Sequence, residues 1–337
     1  MSFHRFLLRR AFMVLPLLIG VVFITFMLVR FGGLDPVGRL AGPTATQAEF
    51  DSIRENLGLD QPLWQQFGIY LGKVVQGDLG ESWLSNRPVM TDIKERAMIS
   101  LELLFWGVGI GALIGVPVGL RAAFRPNGKF DQVTRVLSLL GFSIPTYWLA
   151  LVMIFVFFYL LGWAPPAIGR MSLLVSPPEM ITGSYLIDGL LTANWEAAWS
   201  SASHLVLPVI CLAIVSAAPI IKQTRAIAIE VLASDTVRYA QACGLPEKNV
   251  RKLVLRNSAV PVLTFVGTEV TGLVGTMSLI EYVFAWGGLG QYGLNAIISG
   301  DFTAVQGYVL VLALFSVLVF VIIDIIVHLI EPRSELN

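Results

Sequence analysis

Six apolar runs, near residues 11–29, 99–120, 136–162, 205–221, 260–284 and 305–330, constrain this chain more than any other feature. The hydrocarbon core of a bilayer is about 30 Å thick and a helix rises about 1.5 Å per residue, so a spanning helix needs roughly 20 mostly apolar residues. Lipid offers the backbone no hydrogen-bonding water, and a run of this length satisfies its N–H and C=O groups only as a helix. The pattern therefore predicts an all-α membrane protein with six transmembrane helices. Composition agrees: 14% of the 337 residues are charged and 55% are hydrophobic, against about 25% charged in a soluble domain. Two runs are irregular, because 136–162 is long and holds Pro145 while 205–221 is short.

Short cytoplasmic loops carry the excess of Lys and Arg. With a cytoplasmic N-terminus, the inner segments 1–10, 121–135, 222–259 and 331–337 hold 15 of the 23 Lys and Arg residues. Seven of the rest lie in one long outer segment, 30–98, where length weakens the rule, and Arg170 alone lies in the shorter outer loops. Both termini are thus expected inside. "FHRFLLRR" could open a signal peptide, but the apolar run behind it is too long and no small-residue cleavage site precedes Arg30. It reads as a retained anchor. Three parts result: 1–29 as N-terminus and first span, 30–98 as an outer helical segment, and 99–337 as a five-helix core with a cytoplasmic loop at 222–259.

The outer stretch "TQAEFDSIRENLGLDQPLWQQFGIYLGKVVQGDLGESW" predicts two short helices. Thr46 with Glu49 three residues on is a capping pattern, and Gly58 suits the end of the first helix. Leu63, Phe67, Tyr70, Leu71 and Val74 then recur at helical spacing before a turn at Gly77 and Asp78. Such helices either seal the bundle or dock a soluble partner, and spacing does not separate the two. Cys211 falls in the fourth run and Cys243 in the cytoplasmic loop; both read as small packing residues, with no disulfide. Gly107, Gly109, Gly111, Gly115 and Gly119 point to close helix packing. Pro145, beside Gly141 and Ser143, predicts a kink in the third span, which is also a place where a path could widen.

Residues 238–264, "RYAQACGLPEKNVRKLVLRNSAVPVLT", are polar and basic between two apolar runs. Ile220 to Cys243 has no helix breaker after Pro219 and reads as helix, which Gly244 can end in a left-handed conformation. Pro246 suits a first-turn position, where its missing N–H costs nothing, and opens a second helix to about Ser258. Two short helices at an angle on the membrane surface are expected. Lys248, Arg251, Lys252 and Arg256 make the second too basic to span. Charge alone would hold anionic lipid. The Gly-Leu-Pro corner adds a rigid shape that lipid does not require, and shape points to a protein partner.

"AQACGLPEKNVRKLVLRNSAVPVLT" resembles the EAA loop of ATP-binding-cassette importer permeases, in the form found in the dipeptide and oligopeptide subfamily. "RRAFMVLPLLIGVVFITF", "LGLDQPLWQQFGIYLGKVVQGDLGESW" and "YVFAWGGLGQYGLNAI" with "DFTAVQGYVL" are similar to that subfamily's first span, outer segment and approach to the last span, so the resemblance covers essentially the whole chain. Arg238 and Tyr239 depart from the general loop pattern, Gly287 stands where relatives usually have proline, and "FGGLDP" replaces their "PGDP". The resemblance implies a multi-pass permease of the bacterial inner membrane that pairs with a related permease, one or two cytoplasmic ATPases and an outer binding protein. ATP and Mg would be bound by the ATPases, leaving this chain without cofactor, metal or nucleic acid. It assigns ATPase coupling to Arg238, Ala240, Ala242, Gly244, Leu245, Pro246, Arg251 and Asn257. Binding-protein docking falls to Gln65, Asp78, Trp83 and Gly288. Peptides are the expected cargo, although similar chains serve nickel, glutathione and oligosaccharides.

No GxxxxGK[ST] phosphate loop is present; "NGKF" at 127–130 lacks the preceding glycine and the Ser/Thr. The histidines, His4, His204 and His328, are scattered without ligand spacing, so the chain does not read as an enzyme. An ion-coupled secondary transporter is the other reading, since Glu269 and Asp324 fall inside predicted spans, but the sequence shows no internal repeat. Glu269 either lines a translocation path, with Ser143 and Pro145, or hydrogen-bonds a neighbouring helix.

Overall fold

The computed structural model describes residues 3–31, 46–56 and 60–330. Expectations at Gly58, at the "FGGLDP" turn beyond Phe31 and at 331–337 lie outside those residues. The described residues form helices in the order α1 Phe3–Phe31, α2 Gln47–Asn56, α3 Leu63–Val75, α4 Val89–Ala123, α5 Lys129–Ser143 and α6 Thr146–Met153, which runs on as a π-wound turn Ile154–Leu160. Then come α7 Tyr185–Leu191, α8 Trp195–Leu232, α9 Asp235–Ala242, α10 Glu247–Val283, α11 Leu289–Ser299 and α12 Phe302–Ile330. Helices α4, α8, α10 and α12 are long and apolar enough to cross a membrane, and the α5–α6 pair makes a fifth if its two arms count as one span. Within α1, Val14–Met27 is a shorter apolar stretch.

Three expectations need correction. The third apolar run is not one kinked helix but two arms bent by 97°. Proline pushes the preceding residue out of the helical region, and Ile144 is extended (φ −77°, ψ 123°), so α5 stops and α6 restarts behind Pro145. The fourth run is the middle of a 38-residue helix that accommodates Pro208 and Pro219. In the loop expected at 222–259 the helix after Pro219 does break, at Ala233 and Ser234, and the second helix is not short: α10 runs 37 residues from Glu247 through Pro261 into the fifth apolar run.

The chain divides into two compact units. In the first, Met1–Lys94 with Gly293–Leu314, Phe23 and Phe26 of α1 pack their rings on Phe67 of α3 at 5.3 and 5.6 Å. Thr46 opens α2 as expected, its N–H donating to the Glu49 carboxylate at 2.7 Å. Asp301 starts α12, accepting from Ala304 N–H at 3.0 Å, the Ser82 hydroxyl at 2.6 Å and Leu84 N–H at 3.1 Å.

In the second unit, Glu95–Tyr292 with Phe315–Asn337, α4 lies against α8 through a row of glycines four apart. A Cβ on Gly107, Gly111, Gly115 or Gly119 would come within 3 Å of α8, against Leu212, Ser216, Ile220 and the Ile221 carbonyl respectively. The glycines there are a packing device. Gly109 faces open space and takes no part. Cys211 is buried, but Cys243 is exposed and so is not the packing residue it was expected to be; both are free thiols.

Candidate functional site

Helix α9 has eight residues, too few to be stable alone. Its position comes from a seat. Val237 and Ala240 point inward, and Val237 shares one apolar cluster with Ala123 at the end of α4, Ala228 of α8, and Val250 and Val254 of α10. Full burial of a valine contributes about 1.5–3 kcal/mol, enough to hold one short helix against fraying. The chain leaves α9 through Gly244 at φ +75°. Leu245 N–H donates to Ala240 C=O at 3.1 Å and Gly244 N–H to Gln241 C=O at 2.9 Å, the paired bonds of a Schellman cap. Pro246 is the N-cap of α10 rather than its first helical residue, and its carbonyl accepts from Asn249 and Val250 N–H.

The corner is fixed from behind and open in front. Arg238, Tyr239, Ala242, Leu245 and Pro246 are exposed, as is Asn257 further along α10. Ala240 belongs to the seat, not to the surface. Arg251 donates to Glu247 at 2.6 Å and lies 5.4 Å from the Phe124 ring centroid, which ties α10 to the chain beyond α4. The Arg238–Asp235 pair at 3.9 Å is fully solvated and contributes little.

A cavity of ≈ 760 Å³ opens between α5, α8 and α10, with Gln132, Arg135, Lys222, Gln223, Phe265 and Glu269 on its wall. Glu269 is half-buried. Ser143 and Pro145 do not line this cavity: the Ser143 hydroxyl donates to Leu139 C=O at 2.9 Å on its own helix, and Pro145 makes the α5–α6 break. Of the residues expected to dock a binding protein, Gln65 is half-buried, Asp78 is exposed and accepts from Gly80 N–H at 2.9 Å, and the Trp83 ring lies 6.4 Å from that of Phe302. Gly288 is buried, and a Cβ there would meet the Glu281 carboxylate at 2.4 Å, so it offers no surface.

Glu281 itself, which sequence reasoning passed over, is fully buried in α10. It accepts from the Ser100 hydroxyl of α4 and from Gln291 N–H at 2.8 Å, at the start of α11, where the helix dipole favours an anion. Ser100 in turn accepts from Leu289 N–H at 2.7 Å. Glu102, also overlooked and buried, accepts from the Ser184 hydroxyl at 2.6 Å. Asp188 gathers the N–H groups of Ile181, Thr182 and Gly183 and the Thr182 hydroxyl. Burial pushes its carboxyl up, but these donors outweigh that and hold it below the usual carboxylate range.

Comparison with known proteins matches residues 115–335 to the family described as binding-protein-dependent transport system inner membrane component, and residues 3–103 to its N-terminal region. The chain is 34% identical to a dipeptide transport system permease protein of Alkalihalophilus pseudofirmus, over 97% of this chain and 98% of that one. It is 36% identical to a di/tripeptide transport system permease protein of Pseudomonas aeruginosa, covering 97% and 98%. An oligopeptide transport system permease protein of Bacillus subtilis is 30% identical, over 98% and 99%.

Proposed function

Since the chain belongs to the family of inner membrane components of binding-protein-dependent transport systems, we propose that it is the permease subunit of an ATP-driven importer that moves short peptides into the cytoplasm by alternating access. The six spans are α1, α4, the α5–α6 pair, α8, α10 and α12, with both termini inside, in the bacterial inner membrane. A related permease, one or two cytoplasmic ATPases that bind ATP and Mg, and an outer binding protein complete the machine.

One observation carries this reading: an exposed, rigidly cornered helix joins the two helices that line the cavity. Displacing α9 by a partner moves the inner ends of α8 and α10 together, because their connections are a two-residue break and a Schellman corner. Those same helices carry Lys222 and Glu269 into the cavity. Force at the corner is thereby converted into a change of cavity shape, which is what switching between two access states requires. Glu269, Gln132 and Gln223 give the cavity the polar wall that a peptide backbone needs.

The test is reconstitution in proteoliposomes. ATP-driven peptide uptake is expected only when the related permease, the ATPases and the binding protein are all present. Gly244→Val, which forces a β-branched residue into the left-handed region, is expected to insert normally yet lose substrate-stimulated ATP hydrolysis. Uptake by this chain alone, or full coupling in Gly244→Val, would contradict the proposal.

A further inference from the structure

The charges around the cavity are unequal in what they are free to do. Arg225 is committed, since its guanidinium binds Asp131 with two donors, Nη2 at 2.8 Å from Oδ2 and Nε on Oδ1, and Asp131 also accepts from Asn127 N–H at 2.9 Å. Arg135 adds its field to Asp131 but makes no hydrogen bond, and Lys222 and Glu269 have no partner among the described residues. An acid and two cations thus share the wall of one cavity, Glu269 half-buried and Arg135 and Lys222 exposed, a pattern of opposite charges that suits a zwitterion.

Their levels along the bundle follow from two contacts. Val254 of α10 shares a cluster with Ala228 of α8, and Asp131 of α5 pairs with Arg225 of α8, which registers the three helices. Counting about 1.5 Å per residue from those points places Arg135 and Lys222 within about 2 Å of one level, and Glu269 about 12–14 Å further along. An extended chain covers about 3.3–3.6 Å per residue, so with the reach of three side chains the interval suits a peptide of about two to four residues. Phe265 stands one turn from Glu269 on the same helix and Phe142 faces the same space, which leaves apolar wall between the charged ends for side chains of any kind.

We propose that this cavity reads both ends of its cargo, Glu269 taking the free ammonium group of a short peptide and Arg135 with Lys222 its free carboxylate. The proposal rests on the peptide-importer reading and adds the residues and the length class. Selection here is by termini and not by side chain, as a chain of mixed peptides requires.

The experiment uses the assembled transporter and its binding protein, with trialanine, trialanine amide and N-acetyl-trialanine as cargo. Each binding-protein preference is the same for every permease variant, so ratios between variants isolate the cavity. Arg135→Gln with Lys222→Gln is expected to slow trialanine uptake about tenfold or more, the scale of a lost charge-assisted hydrogen bond, and to bring it level with the amide. Glu269→Gln is expected to remove the discrimination against the N-acetyl form. Arg135→Lys, combined with wild-type Lys222, should keep the discrimination; its loss there, with assembly intact on co-purification, would assign Arg135 a structural role and overturn its part. Variants that transport with wild-type ratios would overturn the proposal alone, whereas a wild-type complex that takes up no peptide would overturn the cargo reading beneath it.

Discussion

Glu281 shows how much one buried side chain decides. It is fully buried, and its carboxylate joins α4, α10 and the start of α11 through the Ser100 hydroxyl and Gln291 N–H. Glu281→Ala would leave those donors unpaired in the interior, at about 3–5 kcal/mol for a broken buried charged contact. The variant is expected to lower the unfolding midpoint of the purified protein by several degrees, with Glu281→Gln intermediate because it keeps one acceptor; an unchanged midpoint for the alanine form would refute this role. Glu281, like Glu269, falls in the apolar run 260–284, but near its end, and its role was not legible because its partner hydroxyl lies 181 residues away. Gly244 was legible for the opposite reason, since a left-handed helix stop before Leu-Pro is written in three adjacent residues.

Among the elements, the segment ahead of α7 is held by polar contacts. The turn before α7 closes on Asp188, whose carboxyl is held below the usual range by its hydrogen-bond donors. A depressed carboxylate contributes stability that is fully present above its unfolded pKa, about 3.9, and is lost as pH falls through the folded value. Amide exchange at Thr182 and Gly183 is therefore expected to stay protected from pH 7 down to about 5 and to loosen only below about 4, whereas Asp188→Asn should loosen it at pH 7; protection that is lost between pH 7 and 5 would contradict the assignment. Helix existence was readable from apolar length, and helix ends were not. The 38 residues of α8 and 37 of α10 extend past their apolar cores because packing on neighbours, not composition, carries them outward. Pro145 was seen as a bend, but a sequence gives no angle, and the 97° between arms depends on where each arm packs.

At the scale of the molecule, the proposed function makes cavity and corner parts of one lever. Helices α8 and α10 carry Lys222 and Glu269 to the cavity and are joined through α9, so the account stands or falls on whether a cytoplasmic ATPase sits on that corner. The protein supplies its own probe. Cys243 is the exposed one of its two cysteines and lies next to Gly244, while Cys211 is buried. Maleimide labelling of Cys243 in inside-out vesicles, with and without the partner ATPases, is the most direct measurement. Strong labelling of the permease alone that is blocked when the ATPases bind, with a short thiol cross-linker joining the two chains through Cys243, is the predicted result. Equal labelling in both preparations, with no cross-link, would contradict it.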